Sequence, residues 1–194
     1  MNPSSFSADA QAILLLCSSL GLPRGISDEV KPLRQDEWND LARRIADSGL
    51  KRPGALLEAD PESLRDVLRL SSALIERLQR LLTRGGPLAI ELERLSSVGI
   101  WALTRADESY PKRLKQILGA KSPSVLFGAG DQELLTRRGV AVVGSRDVDE
   151  AGARFAEDIG RSCAKSGLTV ISGAAKGVDR QSMTGALEAD GSAV

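Results

Sequence analysis

The sequence predicts an α/β chain in which an all-helical N-terminal module precedes the first half of a parallel-sheet domain. Three observations predict it. Between Ala8 and Gly99 the apolar residues recur at helical spacing, with Asp, Pro and Gly where helices start and stop. Beyond Gly139 two short apolar runs, residues 140–143 and 168–171, read as parallel strands buried on both faces. Each run passes directly into a glycine-containing loop and then a helical pattern, the alternation that builds a parallel sheet. A length of 194 residues suits one complete unit plus part of a second.

In the helical part, Asp60 and Pro61 form an N-cap and first-turn pair. Leu64, Val67, Leu68, Leu74, Ile75, Leu78, Leu81 and Leu82 then repeat at helical spacing until Gly85 and Gly86. Pro87 opens a further helix with Leu88, Leu92 and Leu95 on one face and Gly99 past its end. An earlier helix starts near Asp36 and runs through Leu41, Ile45 and Leu50. Short helices joined by glycine turns suit a sterile-alpha-motif-like or helix-hairpin-helix-like bundle. Its expected role is structural or partner-binding, with DNA contact as the alternative. Arg43, Arg44, Lys51 and Arg52 form the densest basic stretch and are expected to solvate a helix face.

The expected boundary falls at Gly99, giving a helical domain over residues 1–99 and a sheet domain over residues 100–194. Residues 100–104 read as a short strand, Tyr110-Pro111 starts a helix through Leu114, Ile117 and Leu118, and residues 125–127 form a strand ending in Gly128 and Gly130. These pieces are expected to pack on the edge of the following sheet. The run 140–143 reads as a central strand. The next helix, about residues 149–165, buries Ala153, Ala156, Ile159, Cys163 and Ala164 and ends at Gly167. After the strand 168–171 comes a helix over about residues 180–189, and residues 192–194 look like a strand that has only begun. The sheet domain is therefore expected to be truncated at its C-terminus.

The two loops carry the chemistry. Gly144-Ser145-Arg146 sits where the first strand meets its helix, on the carboxyl edge where open α/β sheets bind ligands. Glycine admits a phosphate to the backbone, free amides and the Ser145 hydroxyl can donate to it, and Arg146 can grip it with two parallel bonds. Gly173 and Gly177 follow the adjacent strand and bring Lys176 and Asp179 to the same edge. Asp179 suits either of two roles, accepting from a ribose or base, or capping the following helix through the Gln181 and Ser182 amides.

Composition narrows the chemistry further. The chain has no histidine, so the commonest acid/base group and metal ligand are missing, and neither a metal site nor triad chemistry is expected. Cys17 and Cys163 lie far apart in apolar segments and read as reduced thiols. Lys plus Arg equals Asp plus Glu at 26 each, so any nucleic-acid contact must come from a local patch. The first ten residues lack the basic region and apolar core of a signal peptide, and no stretch is long and apolar enough to span a membrane. The expected location is the cytoplasm.

Tyr110-Pro111 with Leu114, the strand Val125-Leu126-Phe127 with Gly130, Val140-Ala141-Val142-Val143-Gly144-Ser145-Arg146, and Ser172-Gly173-Ala174-Ala175-Lys176-Gly177-Val178-Asp179 with Gly185-Ala186-Leu187 resemble, in order and spacing, successive landmarks of the DNA-processing protein A (DprA/Smf) family. That family belongs to a Rossmann-like superfamily related to nucleotide-binding LOG-type proteins. The resemblance implies a Rossmann-like domain after the helical bundle, and a non-enzymatic protein that binds single-stranded DNA and forms a homodimer. It further implies loading of a RecA-type recombinase during DNA uptake and natural transformation. By matched position, Gly144, Ser145, Arg146, Gly173, Lys176, Gly177 and Asp179 are the implied DNA- or phosphate-binding residues. This sequence departs from the family pattern in having Ser182-Met183 where an Ala-His pair is usual and Lys176 where Arg is usual. Asp147, Asp149 and Glu150 also crowd the first loop with negative charge. These departures favour an alternative, a nucleotide sensor or nucleotide-processing enzyme on the same fold, possibly in phage defence.

Overall fold

The structure is a computed structural model that describes residues 6–23 and 30–194. Residues 1–5, from the polar start read above, and residues 24–29, inside the stretch read as helical, lie outside the described residues. The chain divides into two compact units, Met1–Gly130 and Asp131–Val194. Among the described residues no helix is long and apolar enough to cross a membrane.

The first unit is organised around helix α1 (Ala8–Cys17), which is apolar almost all round and accordingly buried on several faces. The Ser7 hydroxyl caps it by accepting from the Ala10 amide at 3.1 Å. Ile13 and Leu16 enter one core with residues of α2 (Gln35–Asp47), α3 (Pro61–Leu68) and α4 (Ser72–Leu82). Leu14 and Leu15 enter a second with Leu88 and Leu92 of α5 (Gly85–Ser97) and with Ala102. Arg84 is buried, and its guanidinium donates to the carbonyls of Leu15, Leu20 (2.7 Å) and Leu81 (3.1 Å). It thereby supplies a donor to the Leu15 carbonyl in the last turn of α1, which the helix itself cannot satisfy, and ties that turn to the end of α4.

The leucine pattern from Leu64 to Leu82 is split into two helices. Arg69 adopts a left-handed φ of 51°, and Ser71 starts α4 by accepting from the Leu74 amide at 3.3 Å. Gly85 and Gly86, expected to lie between helices, form the first turn of α5, where two of the usual backbone donors have no intrahelical partner in any case.

Strand β1 (Ile100–Thr104) pairs antiparallel with β2 (Val125–Ala129), with Ala102 opposite Phe127, and α6 (Lys112–Leu118) lies between them in sequence. They form a two-stranded sheet of their own, and residues 100–130 fall in the first unit. The cause is local: each strand satisfies its ladder on the other, and Ala102 completes the core made by α1 and α5.

The second unit is a β-α-β-α succession: β3 (Gly139–Ala141), α7 (Glu150–Lys165), β4 (Thr169–Ile171) and α8 (Val178–Glu188). β3 and β4 are parallel, with Val140 opposite Val170, and Ala193 makes a parallel bridge to Val170 on the other side of β4. β4 is thus flanked on both sides, and β3, read as a central strand, pairs among the described residues with β4 alone, its three residues exposed. α7 starts on the Asp149 carboxylate, which accepts from the Gly152 amide at 2.8 Å, and ends at Gly167 with φ 65°. Cys163, Val170 and Ala186 form the buried centre. Cys163 is a buried free thiol, and Cys17, also free, has its pKa pushed up to about 12 by burial.

α7 and α8 touch through Gly160 and Gly185: a Cβ on Gly160 would run into the Ser182 carbonyl, and one on Gly185 into the Glu157 carbonyl. Gly160→Ala is expected to destabilise the second unit by about 1–3 kcal/mol through overpacking. Hydrogen exchange should accelerate along α7 and α8 and stay unchanged in α1.

In the first unit Glu37 accepts two bonds from the Arg77 guanidinium, at 2.8 and 3.3 Å, and these hold its carboxyl below the usual value of 4.5. A carboxylate with a depressed folded-state pKa stabilises above its unfolded value and loses that contribution as pH falls through the folded one. Glu37→Gln should therefore flatten the acid-side decline of the first unit's stability below about pH 4.5, measured by urea unfolding followed through Trp38 and Trp101.

Candidate functional site

The parallel pairing of β3 with β4 brings their carboxyl ends, and so the loops that follow, to one edge. The Ser172 hydroxyl fixes the two strand ends together by donating to the Val142 carbonyl at 2.8 Å, and the Val142 amide donates to the Ile171 carbonyl at 2.9 Å. Beyond them the loops containing Gly144-Ser145-Arg146 and Gly173 to Asp179 join backbone to backbone. The Val178 amide donates to the Ser145 carbonyl at 3.1 Å, and the Gly144 amide to a carboxylate oxygen of Asp179 at 3.3 Å.

The glycines make this junction possible. Gly177 has φ 93° and ψ −136°, a region closed to side chains, and a Cβ there would strike the Ser145 carbonyl. A Cβ on Gly144 would lie 2.6 Å from that of Val178. Gly173 is less confined, since its Cβ would meet only the Asp179 carboxylate at 3.2 Å. Two of the three site glycines are therefore needed for the loops to approach each other, a role that the isolated loop sequences do not reveal.

Asp179 does not take the helix-capping role read from the sequence. Gly177 is the N-cap of α8, the Gln181 amide donates to the Gly177 carbonyl at 3.0 Å, and the 8 % exposed Asp179 spans to the opposite loop. The Ser145 hydroxyl is also occupied, donating to the Asp147 carbonyl at 2.7 Å while accepting from the Asp147 amide at 3.1 Å. It shapes the turn, and its capacity to bind an anion from the hydroxyl is reduced.

What remains open is backbone and charge. Among the described residues the amides of Ser145 and Arg146, and those of residues 173–176, donate to no protein acceptor. Arg146 and Lys176 are exposed and pair with no described carboxylate. Ala174 holds a left-handed φ of 54°, unusual for a residue with a Cβ, in the middle of the second loop. Successive free amides around such a residue are the arrangement that receives an oxyanion. The acidic residues near the first loop are partly spent: Asp149 caps α7 and Glu150 is paired with Arg154.

Gly177→Ala should displace the first loop at a cost of about 2 kcal/mol from backbone strain alone, whereas Gly173→Ala should be tolerated. Limited proteolysis within residues 144–149 reads the difference: cleavage quickens in the former variant and matches the parent in the latter.

The family model described as DNA recombination-mediator protein A matches residues 101–194. Curated relatives include the DNA processing protein DprA of Bacillus subtilis, 27 % identical over 73 % of this chain and 50 % of its own length. The DNA processing protein DprA of Streptococcus pneumoniae is 36 % identical over 45 % of this chain and 30 % of its own length. Protein Smf of Synechocystis is 32 % identical over 46 % of this chain and 23 % of its own length. The crystal structure of the Streptococcus pneumoniae protein matches with a TM-score of 0.52 at 23 % identity, over 83 % of this chain and 56 % of that one, a likeness of fold. The chain spans half or less of the length of the curated relatives it matches.

Proposed function

Because residues 101–194 belong to the DNA recombination-mediator protein A (DprA/Smf) family, we propose that this chain binds single-stranded DNA through the crevice between its two glycine loops. Six free amides at one sheet edge, with Arg146 and Lys176 beside them, are the observation that carries this reading. Amides and exposed cations recognise phosphate without reading the base, which suits a mediator that must accept any sequence.

The protein so read is a component of DNA processing and recombination without a reaction of its own. Its partners are single-stranded DNA, a RecA-type recombinase and a second copy of the chain. Its setting is DNA uptake in the cytoplasm. The second unit then belongs to a Rossmann-like domain, with β3, β4 and the Ala193 bridge as three of its parallel positions, and the first unit begins with a helical bundle of sterile-alpha-motif type.

The nucleotide-binding reading rests on the compactness of the same feature, since so few amides in two short loops also suit a single phosphate group. Fluorescence anisotropy with labelled oligothymidylate across a salt series separates the two. DNA binding predicts micromolar or tighter affinity that falls steeply with salt, and at least a tenfold loss for Arg146→Ala or Lys176→Ala. Thermal stabilisation by a mononucleotide with no oligonucleotide binding would favour the nucleotide reading.

A further inference from the structure

A cleft of about 720 Å³ in the first unit is lined by five cations, Arg43, Lys51, Arg52, Arg105 and Lys115. They come from the second half of α2, the loop after it, the turn after β1, and α6. In a chain whose charges cancel overall, this is a local concentration of one sign. The single acid in the lining, Asp9, is committed to the Gly54 amide, which it accepts at 2.7 Å. The walls are fixed to each other: Asn39 of α2 donates to the Ala120 carbonyl at 2.7 Å. Arg43 is paired with Asp40 and Lys51 reaches the Ala46 carbonyl at 3.4 Å, while the side chains of Arg52, Arg105 and Lys115 make no hydrogen bond or ion pair with a described residue. Lys112, Arg113 and Lys121 continue the exposed positive charge beside Lys115.

We infer that this cleft is a second contact for the phosphate backbone of single-stranded DNA, separate from the two-loop crevice. The inference rests on the DNA-binding reading of the protein. A compact phosphate group would be held by converging amides, but the Gly54 amide is already taken by Asp9. An acidic protein segment would need an apolar anchor, yet the large apolar residues in the lining, Ile13 and Trp38, are only 3 % and 4 % exposed. Cations drawn from four separate pieces of chain, without a stacking surface, match an extended polyanion gripped by charge alone.

The test uses the full chain and labelled oligothymidylate long enough to reach both sites. Arg52→Ala/Arg105→Ala/Lys115→Ala should weaken binding at low salt at least tenfold and reduce the slope of log affinity against log salt by about 2, at roughly 0.7 per phosphate for a single strand. Thermal melting should be unchanged, because these side chains hold nothing else. Arg146→Ala/Lys176→Ala should leave a residual salt-sensitive binding that the triple substitution removes. An unchanged affinity and slope in the triple variant would overturn the cleft while leaving the crevice intact. Loss of all binding in the crevice variant would also overturn the cleft. If the crevice variant instead binds like the parent, the crevice reading fails and the cleft stands. Labelled polyglutamate that binds through the same three residues more tightly than the oligonucleotide would identify an acidic protein as the occupant and overturn the DNA assignment.

Discussion

The site in the second unit depends on one steric constraint, the close approach of two loops and the two helices that follow them. Gly160 and Gly185 let α7 and α8 meet at backbone distance, and Gly177 lets the second loop lie against Ser145 and Arg146. Once the backbones are that close, the Val178 amide reaches the Ser145 carbonyl and the Asp179 carboxylate reaches the Gly144 amide. The remaining amides of the two loops have no described acceptor. Free donors are thus a by-product of how the loops satisfy each other, and the cost of leaving them open is met by water or by a ligand.

Much of the charge in this protein is arranged by local pairing, so a chain with no net charge can still leave individual cations unpaired. Arg161 is shared among Glu157, Asp158 and Glu188, tying α7 to α8, and Arg154 neutralises Glu150. In the helical unit Arg77 is held by Glu37 and by the Lys31 and Pro32 carbonyls, and Arg44 by Asp40 and the carbonyls at the end of α3. These guanidinium groups therefore have structural work. Arg146 and Lys176 on the loops, and Arg52, Arg105 and Lys115 in the cleft, are among the cations whose side chains make no hydrogen bond or ion pair with a described residue.

Much of this was legible in the sequence. Asp60-Pro61, the leucine spacing, Asp149 and Gly167 marked helix ends by local chemistry that tertiary contacts did not override, and the two apolar runs marked the parallel strands. Arg69 was not legible as a break, because the leucines continue in phase across it and only its left-handed backbone separates α3 from α4. The pairing of β1 with β2 was not legible for a related reason: short apolar strands do not say which strand they will pair with. The sequence also marked the site glycines but not their purpose, since the atoms that exclude a Cβ from Gly144 and Gly177 belong to the other loop, some 30 residues away. Asp179 was ambiguous on the same ground, its acceptor role being fixed by Gly144 and not by its own helix.

The central claim is that residues 144–146 and 173–179 form one site. Amide chemical shifts of the isotopically labelled chain, followed while a short oligothymidylate is added, test it directly. A single site predicts that the amides of Ser145, Arg146, Gly173, Ala174, Ala175 and Lys176 shift together along one binding curve. Movement confined to one loop, or two loops that titrate with different affinities, would contradict it.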